Sequence, residues 1–400
     1  MSANNKDGDL GKIFDIFLVS LKLGLTSFGG PIAHIGYFHR EYVVVKKWLD
    51  EKSYTDLVAL CQFLPGPASS QLGIAIGTIR AGIGGGIAAW LGFTAPSAIA
   101  LTCFAFLLLR YDFGNAIWIH GLKVVAVAVV AQAIFLMWKK LITTWNHTLI
   151  ALSAAVVLSF WQTAVSQIAL IVAAGFLGRF LFTESKVEDV PTVQVNVKRS
   201  TAILCLVSFV CLLLLFPLLR QLTTSPWASL MDSFYRSGSL VFGGGHVVLP
   251  LLEKELVPSG LISEQTFLAG YGAAQAVPGP LFTFASYLGA TIDGVRGSLI
   301  ATTAIFLPAF LLILGFLPFW NSIRKNMKMQ GILAGINSAV VGILLAALYN
   351  PLSTSAILSA LDFAIMLSLF ALLVFWNMPS WVIVILGIAA SYTSKLYFLF

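Results

Sequence analysis

SFGGPIAHIGYF (27–38) and QFLPGPASSQLGIAIG (62–77) return in the second half of the chain as VFGGGHVVLPLL (241–252) and QAVPGPLFTFASYLGA (275–290). Phe28 aligns with Phe242 and Pro65 with Pro278, offsets of 214 and 213, so the distance between the two turns is kept almost to the residue. The chain is an internal duplication. In both halves a Gly-Gly turn and a Pro-Gly-Pro turn interrupt strongly apolar segments. Broken apolar helices at corresponding positions of two halves are how repeated transporters build a substrate site inside a membrane.

Composition gives the solvent. Of the 400 residues 58% are hydrophobic and 10% charged, and the mean hydropathy is +0.91; so much apolar surface does not fit inside a water-soluble core. The chain reads as an all-α polytopic membrane protein whose first partner is the lipid bilayer. Its net charge of +7 sits in short loops and at segment ends, as the positive-inside rule expects, and no basic patch alternates with stacking aromatics, so no nucleic-acid partner is expected. Cys61, Cys103, Cys205 and Cys211 all lie in apolar segments, which reads as structural filler rather than a disulfide framework or a metal site. The polar start MSANNKDGDLGK carries no signal-peptide pattern.

Apolar stretches near the ~20-residue length of a span run over 12–30, 84–109, 115–138, 146–162, 164–182 and 201–220, then 228–243, 297–319, 330–349, 353–373 and 380–399. Segments 53–82 and 263–296 carry the Pro-Gly-Pro break and are each a discontinuous span or a re-entrant hairpin. Charge favours one crossing each, about 13 spans in all: Lys139, Lys140, Lys198, Arg199, Arg324, Lys325 and Lys328 then share the side of the N-terminus, which the positive-inside rule makes cytoplasmic, with the C-terminus periplasmic. Lys46, Lys47 and Arg220 are exceptions, falling outside. The expected organisation is an N-terminal repeat (1–182), a cytoplasmic linker (183–199) and a C-terminal repeat with an extra leading span (200–400). An odd number of crossings, about seven, separates the repeat starts, so the halves are expected to be inverted.

Glycine permits left-handed backbone and proline suits the first turn of a helix. The turns Gly29-Gly30-Pro31 and Gly243-Gly244-Gly245, and the turns Pro65-Gly66-Pro67 and Pro278-Gly279-Pro280, therefore end one helix and start another at membrane depth. Each new N-terminus directs free N–H groups and a positive dipole end at the space before it, an anion site made of backbone. Lys22 and Arg236 each precede the Phe of the glycine turn by six residues, about 9 Å along a helix; facing a water-filled cavity they attract an anion, otherwise they snorkel to the interface. Gln62, Ser69, Ser70 and Gln71 flank the first Pro-Gly-Pro, and Gln275, Thr283 and Ser286 the second. They offer neutral donors to an oxyanion or serve the broken backbone itself.

His34 and His246 lie just beyond the glycine turns without aligning with each other, as proton carriers or structural hydrogen-bonders. Glu41 aligns with Glu255 and Glu51 with Glu264. These read as solvated helix ends, with a gate or proton path as the alternative for Glu41 and Glu255. Gly73 with Gly77 and Gly331 with Gly335 form GxxxG pairs, most simply close helix packing.

FGGPIAHIGYF and FGGGHVVLPLL, each followed by its Pro-Gly-Pro, resemble the chromate ion transporter family in its long, two-domain form, over nearly the whole chain. The resemblance implies a bacterial inner-membrane protein that exports chromate and confers chromate resistance, with Lys22 and Arg236 at positions similar to the family's basic residues. It leaves the coupling ion open between proton and sulfate exchange. Sulfate or another tetrahedral dianion as cargo, and a passive anion channel, are the alternatives; a homodimer is left open. No HExxH, GxSxG or paired Asp-rich metal motif lies on a span, so neither an enzyme nor a cofactor or metal is expected.

Overall fold

The computed structural model describes residues 3–28, 30–111, 117–161, 164–182, 197–223, 225–241, 248–324 and 326–397, which form helices and turns but no strand. The first half runs α1 (Ala3–Thr26), α2 (Gly30–Phe38) with a wider π-helical turn (His39–Val45), α3 (Glu51–Phe63), α4 (Ala68–Tyr111), α5 (Ile117–Leu141), α6 (Trp145–Phe160) and α7 (Ala164–Leu181). After α8 (Arg199–Leu222) come α9 (Pro226–Leu240), α10 (Val248–Leu256), α11 (Glu264–Ala276) and α12 (Phe284–Phe316), the last preceded by a 3₁₀ turn at Leu281–Thr283. The chain closes with α13 (Trp320–Arg324), α14 (Met327–Ala347), α15 (Thr354–Ala356), α16 (Ala360–Phe375) and α17 (Ser380–Tyr397).

The duplication extends from motifs to elements. α3 and α11 each have 13 residues and a side-chain cap: the Asp50 carboxylate accepts from Ser53 N–H at 2.9 Å, and the Ser263 hydroxyl from Thr266 N–H at 3.1 Å. Each stops at Leu64 or Val277, held extended by the proline that follows. α4 bends at Ala81-Gly82 and α12 at Asp293-Gly294, with Gly82 at φ +64° and Gly294 at φ +57°. These bends are reversals. A Cβ on Gly77 would stand 2.3 Å from the Gly85 carbonyl oxygen, and one on Gly289 2.2 Å from that of Gly297, whereas residues eight apart on a straight helix are about 12 Å apart. Each long helix is therefore a hairpin of a short arm (68–80 or 284–292) on a long arm (83–111 or 295–316).

The segments before the hairpins also double back. Lys46 after α2 reaches Asp15 in α1 at 2.8 Å, and the Arg80 guanidinium at the end of the short arm lies 4.2 Å over the Trp48 ring just before α3. In the second half Glu255 of α10 returns to Arg236 of α9, and the Tyr287 hydroxyl donates to the Thr266 carbonyl across the Pro-Gly-Pro turn at 2.8 Å. The count of about 13 spans takes one crossing for each broken segment; here the helices on either side of each break double back on one another instead of running end to end. A 13-residue helix is about 20 Å long, and both of its neighbours return along it instead of continuing.

Among the described residues five helices are long and apolar enough to cross a membrane: Ala68–Arg110, His120–Leu141, Arg199–Leu222, Leu281–Phe319 and Met327–Asn350. Trp145–Phe160, Ser166–Leu181, Ala360–Phe375 and Ser380–Tyr392 are shorter apolar helices. Large apolar side chains stay uncovered around the outside, among them Leu204, Val207, Leu214 and Leu218 on α8, as lipid-facing helices require. The chain is an all-α integral membrane protein. Its halves interlock: Ala309, Leu312, Ile313 and Trp320 of the second half share a core with Leu57, Leu60, Leu72 and Phe93 of the first. The GxxxG reading holds for Gly331 and Gly335, which pack on Gly178 and Ala174 of α7.

Candidate functional site

The four broken points meet, and they meet crosswise. Gly66 N–H donates to the Val241 carbonyl at 2.6 Å, and Gly279 N–H to the Ser27 carbonyl at 2.9 Å. Each Pro-Gly-Pro turn is thus bonded to the residue just before the glycine turn of the other half. Each also leans on the other half's long arm beside that arm's proline: Gly66 faces Ala309 next to Pro308, and Gly279 faces Ser97 next to Pro96. Gly66 at φ +122° and Gly279 at φ +103° take backbone that an L side chain rarely adopts.

Interrupted helices leave polar groups that must be satisfied away from water. Gln71 Nε2–H donates to the Pro65 carbonyl at 2.7 Å and the Thr283 hydroxyl to the Pro280 carbonyl at 2.7 Å. Ser286 and Thr302 share a hydrogen bond of 2.7 Å. Gln71, Thr283 and Ser286 therefore serve the break itself. His34 is buried edge-on to Phe93, and its Nε2–H donates to the same Ser27 carbonyl, at 3.2 Å, that receives Gly279. The Gly66 and Gly279 amides are taken up by these cross-half bonds. The first-turn amides of Ala68, Ser69 and Ser70 have no intrahelical acceptor. In the segments that carry the breaks, Ser27 Oγ, His34 Nδ1, Ser70 Oγ, Gln71 Oε1, Thr94 Oγ1 and Gln275 Nε2 are buried without a hydrogen-bond partner.

The duplicated cations do not stand alone. Lys22 Nζ donates to Glu41 Oε2 at 2.8 Å, and Arg236 Nη2 donates to Glu255 Oε2 at 2.9 Å, the same pair in each half. The second is part of a cluster: Arg236 also holds Asp232 at 2.7 Å, and Arg220 reaches Asp232 at 3.1 Å and Glu255 at 3.0 Å. Glu41 and Glu255 are buried or nearly so, while the Lys22 side chain is 61% exposed. Neither cation offers an uncompensated charge to an anion. Asp232 carried no signal in the duplication, because its partner position holds the apolar Leu18. Glu51, counterpart of Glu264, pairs instead with His39 at 2.7 Å.

A cavity opens against the first Pro-Gly-Pro turn. It is lined by Pro31 and Ile35 of α2, Gln62, Leu64, Gly66 and Ala68 around the first turn, and Lys140 of α5, with Asn337 of α14. It leads toward the Lys139-Lys140 end of α5. Gln62 is exposed there, whereas its counterpart Gln275 is 8% exposed. Of the residues singled out from sequence, Gly29, Gly243, Gly244, Gly245 and His246 lie outside the described residues. Pro31, Gln62 and Gly66 line the cavity, with Gly30, Pro65, Pro67 and Ser69 next to them in the chain, and Pro278, Gly279, Pro280 and Thr283 form the second turn, bonded to Ser27 through Gly279.

A family model described as "Chromate transporter" matches residues 14–179 and 228–392. An uncharacterised transporter of Methanocaldococcus jannaschii is 28% identical over 94% of this chain and 89% of its own. A probable chromate transport protein of Synechococcus elongatus is 27% identical over 82% of this chain and 81% of its own. A chromate transport protein of Pseudomonas aeruginosa is 26% identical over 82% and 78%. No solved structure matches the chain.

Proposed function

The chain belongs to the chromate transporter family, and from that premise we propose that it exports chromate by alternating access, with the crosswise-bonded turns as the substrate centre. The observation that carries this reading is the pair of reciprocal bonds, Gly66 to Val241 and Gly279 to Ser27. Two turns tied into opposite halves make one central point that a rocking motion of the halves opens to either side. The cavity on the first turn fits a state open toward the Lys139-Lys140 end.

In the proposed topology the N-terminus, the linker and the α13 end lie in the cytoplasm, and α1–α2 and α3 with the short arm of α4 dip in and return. The long arm of α4, then α5, α6, α7 and α8 cross, an odd number, so the second half starts from the other side and is inverted. Lys46 and Lys47, exceptions under single crossings, then join Lys139, Lys140, Lys198 and Arg199 on the cytoplasmic side. The repeats 1–182 and 200–400, joined by the linker at 183–199, remain the units of duplication.

Chromate is largely a dianion near neutral pH, and each charge leaving an inside-negative cell gains ~2.3 kcal/mol per 100 mV, so export gains ~4.6 kcal/mol per 100 mV. Proton exchange would add to this without being required. The test is tracer chromate flux in proteoliposomes with an imposed potential and sulfate competition. Flux that follows the potential and shows counterflow supports a carrier; flux without counterflow means a channel. Flux of sulfate with none of chromate makes sulfate the cargo.

A further inference from the structure

The positive charge that faces the cavity is Lys140, not Lys22 or Arg236. Its Nζ lies 3.2 Å from Gln62 Oε1, a neutral acceptor, and among the described residues no carboxylate stands at ion-pair distance from it. Lys22 and Arg236 are each matched by a carboxylate at 2.8 and 2.9 Å. Because Gln62 Oε1 accepts from Lys140, the Gln62 amide nitrogen is left to donate elsewhere. Asn337 lines the same space, as does Ala68 at the start of α4, whose first-turn amides have no acceptor within the helix. Leu64, Leu136, Met137 and Leu141 complete the wall, and low-dielectric walls concentrate the field of a single charge. Aligning α5 with α14 on Gly121 and Gly331, which pack on Gly387 and Gly178 respectively, sets Lys140 against Asn350. At this position the charge belongs to the first half, whose turn lines the cavity.

We propose that Lys140, Gln62, Asn337 and the first turn of α4 form a capture site for a tetrahedral dianion, occupied before the substrate passes between the crosswise turns. This rests on the export reading, because it takes the cavity to open toward the cytoplasm. The experiment measures tracer chromate uptake against concentration in inside-out vesicles carrying the parent, Lys140→Gln or Lys140→Arg, at matched and monodisperse protein.

Lys140→Gln is expected to raise the apparent KM on the order of tenfold at low ionic strength, with the maximal rate close to the parent and the difference shrinking as salt screens the charge. Lys140→Arg, which keeps the charge, is expected within about twofold. An unchanged KM in Lys140→Gln, or a lost maximal rate at unchanged KM, overturns the site. A parent that moves no oxyanion refutes the export reading instead. Lys140 is then decided by equilibrium binding of tracer chromate to the purified protein: weaker binding by Lys140→Gln sustains the capture site, and equal binding removes it.

Discussion

Gly66 and Gly279 each satisfy two demands that no other residue meets together. Their backbone is at φ +122° and +103°, and a Cβ would stand 2.9 Å from Gln71 Nε2 at the first and 2.8 Å from Ser97 Oγ at the second. Gly66→Val and Gly279→Val should therefore abolish chromate flux in protein that still reaches the membrane, since the turn cannot keep its bond to the opposite half. Thr283→Val, which removes one hydrogen bond to the Pro280 carbonyl, should cost ~1 kcal/mol and leave flux measurable. Flux in the valine variants equal to the parent, with Thr283→Val inactive, would reverse this order. The ion pairs differ in a way their alignment hides. Lys22→Gln removes a mostly exposed partner and should cost no more than ~1 kcal/mol. Arg236→Gln strips two contacts from the half-buried Arg220–Asp232–Arg236–Glu255 cluster and should cost ~3 kcal/mol, read as thermal stability in detergent. Sequence displayed the pairing of Lys22 with Arg236 and of Glu41 with Glu255, but treated them as separate features. What joins them is the fold-back of α2 on α1 and of α10 on α9, a contact between segments that a single chain does not announce.

The helical hairpins of α4 and α12 decide how the breaks are presented, and they were the hardest elements to read. Residues 68–111 and 284–316 are nearly unbroken apolar runs, and one glycine with positive φ reverses each without a polar loop. Signals were present: Arg80 just before Gly82, and Asp293 and Arg296 around Gly294, charges that interrupt the apolar runs where the chain turns. The Gly77–Gly85 and Gly289–Gly297 pairs are the packing counterpart of those turns. Gly77, read from sequence as half of a GxxxG pair with Gly73, works instead against Gly85 in the same helix. Gly77→Leu or Gly289→Leu should lower stability by ~3 kcal/mol or more, because the obstacle is backbone that does not yield. Gly36→Ala is the control, since nothing lies within 4 Å of its Cβ; it should be within ~0.5 kcal/mol of the parent. Equal thermal stability of the leucine variants and the control would mean that the arms are not packed this closely.

At the scale of the whole molecule, duplication, solvent and broken helices were all readable, since they rest on composition and on motifs repeated at one offset. Topology was not, because counting apolar stretches assigns a crossing to every segment of sufficient length and cannot see two half-length helices returning to the same side. Lys46 and Lys47 run against the single-crossing count, and the structure puts Lys46 against Asp15 in the middle of α1. A single comparison separates the two topologies. With the native cysteines replaced, a cysteine at Lys47 and one at Ser259 are treated with a membrane-impermeant thiol reagent in intact cells and in inside-out vesicles. Single crossings place 47 outside and 259 inside. The fold-back topology reverses both, with 47 labelled only in inside-out vesicles and 259 only in intact cells, while the linker and the C-terminus stay inside and outside in either case. Labelling of 47 from outside would restore a crossing to α1 and remove the cytoplasmic charge cluster from the cavity side. Labelling of 259 from inside would break the inverted relation of the two re-entrant pairs. Because the crosswise bonds tie each turn to the opposite half, the two sites must move together: a sound fold-back at one end requires its inverse at the other.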